Sequence, residues 1–188
     1  LDVAKDLMKG FRKVGINGQG IVHSNYMEVR RMAPGAELVD VSKGLEASRL
    51  IKDEEEVRRM RRACRIASRV AEEIPGMLRK GMKEYEAAAE LNYHMTRMGA
   101  SGPAFGTNAS FGASSAEPHH TAEDIELRTG DTALFDFGCK VEGYCSDITR
   151  TFFFGPPKGW QERMYQVVSE AQDAALRVIR AGVNGKDV

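Results

Sequence analysis

Several things are scarce in this chain. Its 188 residues include one tryptophan and three cysteines, Cys64, Cys139 and Cys145. The cysteines are odd in number, and Cys139 and Cys145 lack CxxC spacing, so they read as reduced thiols and a cytoplasmic location is expected. No apolar run approaches the roughly 18 residues of a membrane span, so none is predicted. A charged segment followed by an apolar one is missing at the start, so no signal peptide is predicted. Net charge is absent too: 27 basic residues balance 27 acidic ones. That balance implies no polyanionic partner, and nucleic acid is not expected. No internal repeat of 20–50 residues is visible. What is present suits a globular protein: 42% of the residues are apolar, enough for a core. The length fits one domain, or one domain and part of another. The chain begins at Leu1 rather than Met and stops at Val188, after what reads as the start of a new element. Both ends are those expected of a piece of a longer protein.

One stretch stands apart, from Asp131 to Phe154. Thr132 to Gly138 is apolar and β-prone around a single carboxylate, Asp136. Cys139 to Gly143 reads as a turn, and Tyr144 to Phe154 as a second strand around Asp147. A carboxylate inside an apolar strand is costly unless it is paired or binds a metal. Two of them on strands joined by a turn can be brought face to face, as a divalent-cation site requires.

The rest of the chain supplies candidate elements around this hairpin. Val3, Leu7, Phe11 and Val14 fall at helical spacing, with Gly15 placed to end the helix. Gly20 to His23 is read as a short strand, Asn25 to Met32 as a short helix, and Leu38 to Val41 as a strand. Residues 1–48 are too few to bury a core alone and are expected to be the tail of a truncated domain. A long helix follows, capped by Asp53 with Glu56, with Val57, Met60, Cys64, Ala67, Val70 or Ala71, and Ile74 as its apolar stripe. Its arginines, Arg58 to Arg69, read as a solvated face rather than a nucleic-acid patch. Pro75-Gly76 to Gly81 is expected to be a connector. Glu84 to Met98 is a second helix, with Ala87, Ala88, Leu91 and Met95 inward, Gly99 as its stop and His94 outside any ligand set. Ser101 to Glu123, rich in Gly, Ala and Ser, is either a flexible linker or a rigid loop presenting a catalytic group. A third helix is expected from Lys158 to Ala181, with Met164, Val167, Ala171, Ala175 and Val178 inward.

The candidate chemistry centres on Asp136, Asp147 and His119. The two carboxylates are eleven residues apart, and His119 lies seventeen residues before Asp136. A histidine near two carboxylates suits either metal ligation or proton transfer. The rival is structural: one Asp in a turn, the other capping a neighbour. Three side chains are too few to close a dinuclear site, which needs about five or six protein ligand atoms. Asp131 and Glu142 read as turn residues, and Thr149 and Arg150 as anchors of the second strand.

Phe135-Asp136-Phe137-Gly138, Gly143-Tyr144 and Ser146-Asp147-Ile148-Thr149-Arg150-Thr151-Phe152 resemble the signature of the pita-bread metallopeptidases. The closer similarity is to the Xaa-Pro dipeptidase (prolidase) and Xaa-Pro aminopeptidase branch. The resemblance extends over residues 49–188, through Arg49 to Glu56, Gly106 to Ala109, Pro118-His119, Leu127 to Asp131 and Ala181 to Val188. It implies an α+β pita-bread (creatinase/aminopeptidase-like) fold, an antiparallel sheet backed by helices, incomplete at its C-terminus. Residues 49–188 would be the N-terminal part of the catalytic domain. It also implies two divalent metal ions, manganese or cobalt, held by two Asp, one His and two Glu. Asp136 would bind one ion and Asp147 would bridge both, while His119 would be a catalytic residue beside the metals rather than a ligand. The remaining three ligands would lie beyond Val188. The implied reaction is hydrolysis of a proline-containing peptide by a metal-activated water, in a parent protein that is a homodimer; the chain alone is expected to be inactive and to expose apolar surface. The rivals on the same fold are a non-catalytic peptide-binding module, a methionine aminopeptidase-like enzyme and a metal-free creatine hydrolase. Retention of both Asp disfavours the last, and the extra segment 1–48 favours the proline-directed branch over methionine removal.

Overall fold

The computed structural model describes residues 2–188, with side chains from Val3 onward. The chain divides into two compact units, Leu1–Glu55 and Glu56–Val188.

In the first unit, helix α1 (Asp2–Met8) leads to strand β1 (Lys13–Ile16), helix α2 (His23–Met32), strand β2 (Glu37–Asp40) and helix α3 (Ser42–Leu50). β1 and β2 pair in parallel, Lys13 opposite Glu37 and Ile16 opposite Asp40. Helical spacing overstated α1: it stops at Met8, Gly10 takes the left-handed position (φ +84), and Val14 and Gly15 belong to β1. β-pairing wins there because Val14 and Gly15 find partners in Leu38 and Val39. The strand expected over Gly20–His23 is instead a turn leading into α2, with the Gly20 and Ile21 amides bonded to the Asn17 carbonyl. Among the described residues of this unit, Ala33, Ala36 and Ser42 are buried. Such a small core fits the limit that chain length places on burial.

In the second unit, helix α4 (Glu54–Met77) buries Ala63, Ile66, Ala67, Val70, Ala71 and Ile74. Ala67, Val70, Ala71 and Ile74 are buried as expected and Val57 and Met60 are half-buried, but Cys64 is exposed. Ala63 takes the inner place because a methyl lets the sheet approach closely: its carbonyl accepts the Cys139 thiol at 3.3 Å. The helix also runs through Pro75-Gly76 instead of ending before them. A proline in the last turn removes a single ladder bond, and buried Ile74 just before it keeps that turn packed. Helix α5 (Glu84–Arg97) buries Ala87, Ala88, Leu91 and Met95. It ends before Gly99, which is left-handed at φ +99.

The segment after α5 is built into the sheets rather than being a linker. Strand β3 (Gly102–Pro103) and the wholly buried β4 (Asn108–Phe111) precede a 3-10 helix, Gly112–Ala116. Strands β5 (Asp131–Phe137), β6 (Cys139–Val141), β7 (Tyr144–Cys145) and β8 (Ile148–Phe154) follow. They form two antiparallel three-stranded sheets, ordered β4-β5-β8 and β3-β6-β7. Strand alternation turns Ala133, Phe135 and Phe137 inward, where Phe135 meets Phe111 edge-on at 6.1 Å. Each such fully buried ring contributes on the order of 2–3 kcal/mol.

The expected two-strand hairpin is therefore bent across two sheets, its base β5 and β8 pairing in one and its tip β6 and β7 in the other. At the tip, Val141 pairs with Tyr144, and Glu142 and Gly143 both have positive φ, +50 and +86. That is the two-residue turn whose twist matches paired strands. At the corner between the sheets, Gly138 packs against the Ser146 backbone so closely that a Cβ would lie 1.9 Å from its carbonyl oxygen. The Ser146 hydroxyl accepts the Cys139 amide at 3.0 Å, and the Ser146 amide donates to the Cys139 carbonyl at 2.9 Å.

Helix α6 (Gly159–Val178) is fastened at its start, where the buried Gln161 amide donates to the Gly130 carbonyl and the Thr132 hydroxyl, both at 3.1 Å. Its expected inner face is not covered: Met164, Val167 and Val178 remain exposed.

Gly138→Ala should destabilise the second unit by at least about 2 kcal/mol, because backbone rather than a flexible side chain must move. Gly106→Ala, where a Cβ meets nothing within 4 Å, is the matched control. Urea midpoints of the two variants check this; equal midpoints would contradict the close approach at the corner.

Candidate metal centre

Asp136 and Asp147 flank this corner. Asp136 is the sixth residue of β5 and is paired with Thr149 of β8. Alternation places it on the face opposite Phe135 and Phe137, half-buried rather than enclosed in the core. The Thr149 hydroxyl donates to its Oδ1 at 3.1 Å, so Thr149 positions a carboxylate as well as lying in the strand. Asp147 is not within a strand: it follows Ser146 in the corner, just before β8, and is exposed. It lies two residues before Thr149, the cross-strand partner of Asp136. The desolvation cost expected for two carboxylates inside apolar strands is thus small, because one faces away from the core and the other lies at a bend.

His119 is exposed in a turn, in the left-handed region at φ +59. Among the described residues no hydrogen bond or ion pair joins it to Asp136 or Asp147. Its neighbour His120 is the structured member of the pair. The His120 Nε2 lies 2.8 Å from Glu84 Oε2, and Nδ1 lies 3.4 Å from Glu117 Oε2. Glu84, the first residue of α5, has no exposed surface. It accepts the Phe111 amide at 2.7 Å, the Glu123 amide at 3.0 Å and the Ser114 hydroxyl. Burial alone would raise the Glu84 carboxyl, but these four donors outweigh it and hold it below its ordinary value. The hydrogen bond to Glu84 holds the His120 imidazolium above its own. Sequence reasoning missed both residues. An acid at a helix start looks like an ordinary first-turn residue, and the only hint was a second histidine after Pro118.

Other neighbours of the corner are structural. Glu142 at the hairpin tip pairs with Arg59 Nε at 3.2 Å and Arg62 Nη1 at 3.5 Å, and the Tyr144 hydroxyl donates to Glu56 at 2.7 Å. The arginine row of α4 thus fastens the tip of the hairpin. Asp131 keeps its turn role, accepting the Arg128 amide at 2.8 Å. His94 pairs with Glu73 at 2.7 Å.

Residues 58–188 match the model of metallopeptidase family M24. The chain belongs to this family. It is 33% identical, over 96% of its length, to an Xaa-Pro dipeptidase of Pyrococcus horikoshii, and 34% identical over 95% to an uncharacterised peptidase of Bacillus subtilis. Among solved structures it superposes on the prolidase of Pyrococcus horikoshii with a TM-score of 0.91 at 32% identity, covering 99% of this chain and 53% of that one. An Xaa-Pro dipeptidase of Bacillus anthracis gives 0.90 at 34%, covering 99% and 52%. The M24 chain therefore has the mixed α+β pita-bread-like fold of these structures, and it spans about half the length of the relatives it matches.

Membership implies divalent metal ions. The carboxylate oxygens of Asp136 and Asp147 suit such hard cations. Among the described residues, however, no three His, Cys, Asp or Glu side chains gather as a metal cage. Asp136 and Asp147 are the candidate ligands by chemistry, two carboxylates at one corner of the fold.

The Glu84–His120 pair makes the stability of the loop depend on pH in both directions. Because His120 is raised, its contribution is complete below its ordinary value of 6.5 and fades as pH rises through the higher folded value. Because Glu84 is lowered, its contribution is complete above its ordinary value of 4.5 and fades as pH falls through the lower folded value. Thermal midpoints should thus peak between those two ordinary values, and Glu84→Gln should flatten both limbs. An unchanged profile in the variant would refute the linkage.

Proposed function

We propose that a protein carrying this chain hydrolyses Xaa-Pro peptide bonds as a metal-dependent exopeptidase. The carrying observation is the pair of carboxylates at the Gly138–Ser146 corner, in a chain of a metallopeptidase family with Xaa-Pro dipeptidases among its relatives. Asp136 and Asp147 would hold the metals, with manganese or cobalt proposed. When bound, the ions would activate a water and polarise the scissile carbonyl. The residues of the chain act around them. The Thr149 hydroxyl fixes the rotamer of Asp136 through Oδ1. Asp147, exposed on the corner, would be a further ligand. His119, in its exposed turn, is proposed to hydrogen-bond the substrate carbonyl oxygen and steady charge on it during attack. The same family likeness leads us to propose that residues 1–48 are the tail of a preceding domain, that 49–188 begin the catalytic domain, and that the working assembly is a cytoplasmic homodimer.

In the full-length protein with manganese or cobalt, Asp136→Asn and Asp147→Asn should each lower kcat/KM on Xaa-Pro dipeptides by about 1000-fold, roughly 4 kcal/mol of transition-state stabilisation. A correctly folded, metal-loaded protein without turnover would sink the proposal. The 188-residue chain by itself should neither turn over these peptides nor bind manganese tightly, since it offers only one wall of a site. Titration calorimetry showing two tight manganese ions per chain would contradict that.

A further inference from the structure

His119 holds a backbone conformation that a side chain with a Cβ resists. Its φ of +59 costs about 1–2 kcal/mol, and such a residue persists only where its surroundings over-determine it. Those surroundings converge on one buried atom group. Before His119, the Phe111 amide and the Ser114 hydroxyl both donate to Glu84 Oε1. The Glu117 amide is fastened in turn to the Ser114 carbonyl at 3.0 Å. After His119, the His120 ring and the Glu123 amide both meet Glu84 Oε2. The His120 ring also reaches back across His119 to Glu117 at 3.4 Å, and the His120 amide donates to the Glu117 carbonyl at 3.3 Å. The two oxygens of a single carboxylate on α5 therefore divide the work: one holds the approach to the turn, the other its exit. The His120 side chain is only 6% exposed, whereas His119 next to it stands in solvent.

We propose that Glu84 and His120 are positioning residues for His119: they clamp both flanks of the turn and hold His119 in the left-handed conformation that directs its imidazole toward substrate. Neither residue touches substrate or metal; they act through the backbone of residues 117–120. Because this role rests on the function proposed above, its test has one readout that needs no activity and one that does. In the 188-residue chain, a strong intraresidue HN–Hα Overhauser effect marks positive φ at residue 119. It should be present in the wild type and in His120→Gln, whose amide can still donate to Glu84. It should weaken in His120→Ala and Glu84→Gln. In the full-length metal-loaded protein, His119→Ala should lower kcat/KM on an Xaa-Pro dipeptide by about 100-fold, and His120→Ala by about 10-fold. The double variant should be no slower than His119→Ala alone, because a clamp has nothing left to position. A merely structural pair would instead give losses that multiply. Multiplying losses, or an unaltered signal at residue 119 in His120→Ala, would overturn the clamp while leaving the peptidase function standing. A wild type without turnover would remove that function, and with it any substrate role for the clamp.

Discussion

The corner at Gly138 is the constraint on which the rest of this chain depends. A polypeptide that leaves one sheet and enters another loses its ladder hydrogen bonds at the crossing, and buried amides there must find substitutes. Here Ser146 supplies them through its hydroxyl and its backbone, and the missing side chain at residue 138 lets the two backbones meet. The corner sets Asp136 near the end of one strand and Asp147 just before the start of the next. It also explains why neither carboxylate carries a heavy desolvation cost. Asp136 lies on the face of β5 opposite the buried Phe135 and Phe137, and Asp147 is exposed at the bend.

Around the corner the chain spends its ionic and polar side chains on fixing positions. Arg59 and Arg62 fasten the hairpin tip through Glu142. Gln161 ties the start of α6 to the strand that carries Asp136. Glu84 binds together the helix start, the end of β4, the 3-10 helix and the histidine turn. A fully buried carboxylate is tolerable only when its lone pairs are satisfied, and four donors achieve that. The loop that looked compositionally like a linker is held as firmly as a strand for this reason.

The sequence errors have different causes. Helical spacing from Val3 to Val14 yielded to a distant partner, since Val14 pairs with Leu38 of β2; the strand read over Gly20 to His23 yielded to a local turn on the Asn17 carbonyl. On α4 the expected stripe holds at Ala67, Val70, Ala71 and Ile74 and fails at Cys64, where the neighbouring Ala63, whose carbonyl accepts the Cys139 thiol, is buried instead. The face of α6 read as inward is not buried among the described residues: Met164, Val167 and Val178 are exposed.

Composition and pattern alone determined the long helices, the apolar hairpin and the two carboxylates within it; the α+β class came with the family resemblance, which also gives those carboxylates a chemical meaning. Those features are local: they depend on residue type and spacing over a turn or two of chain. Only tertiary structure decided that the hairpin is folded across two sheets, that Asp147 stands at a bend, that Ser101 to Glu123 is ordered, and that His120 is tied down while His119 is presented. Each of those outcomes depends on groups meeting within hydrogen-bond distance beyond a turn of chain, Glu84 with Glu123 or Cys139 with Ser146, and no local pattern encodes such a meeting.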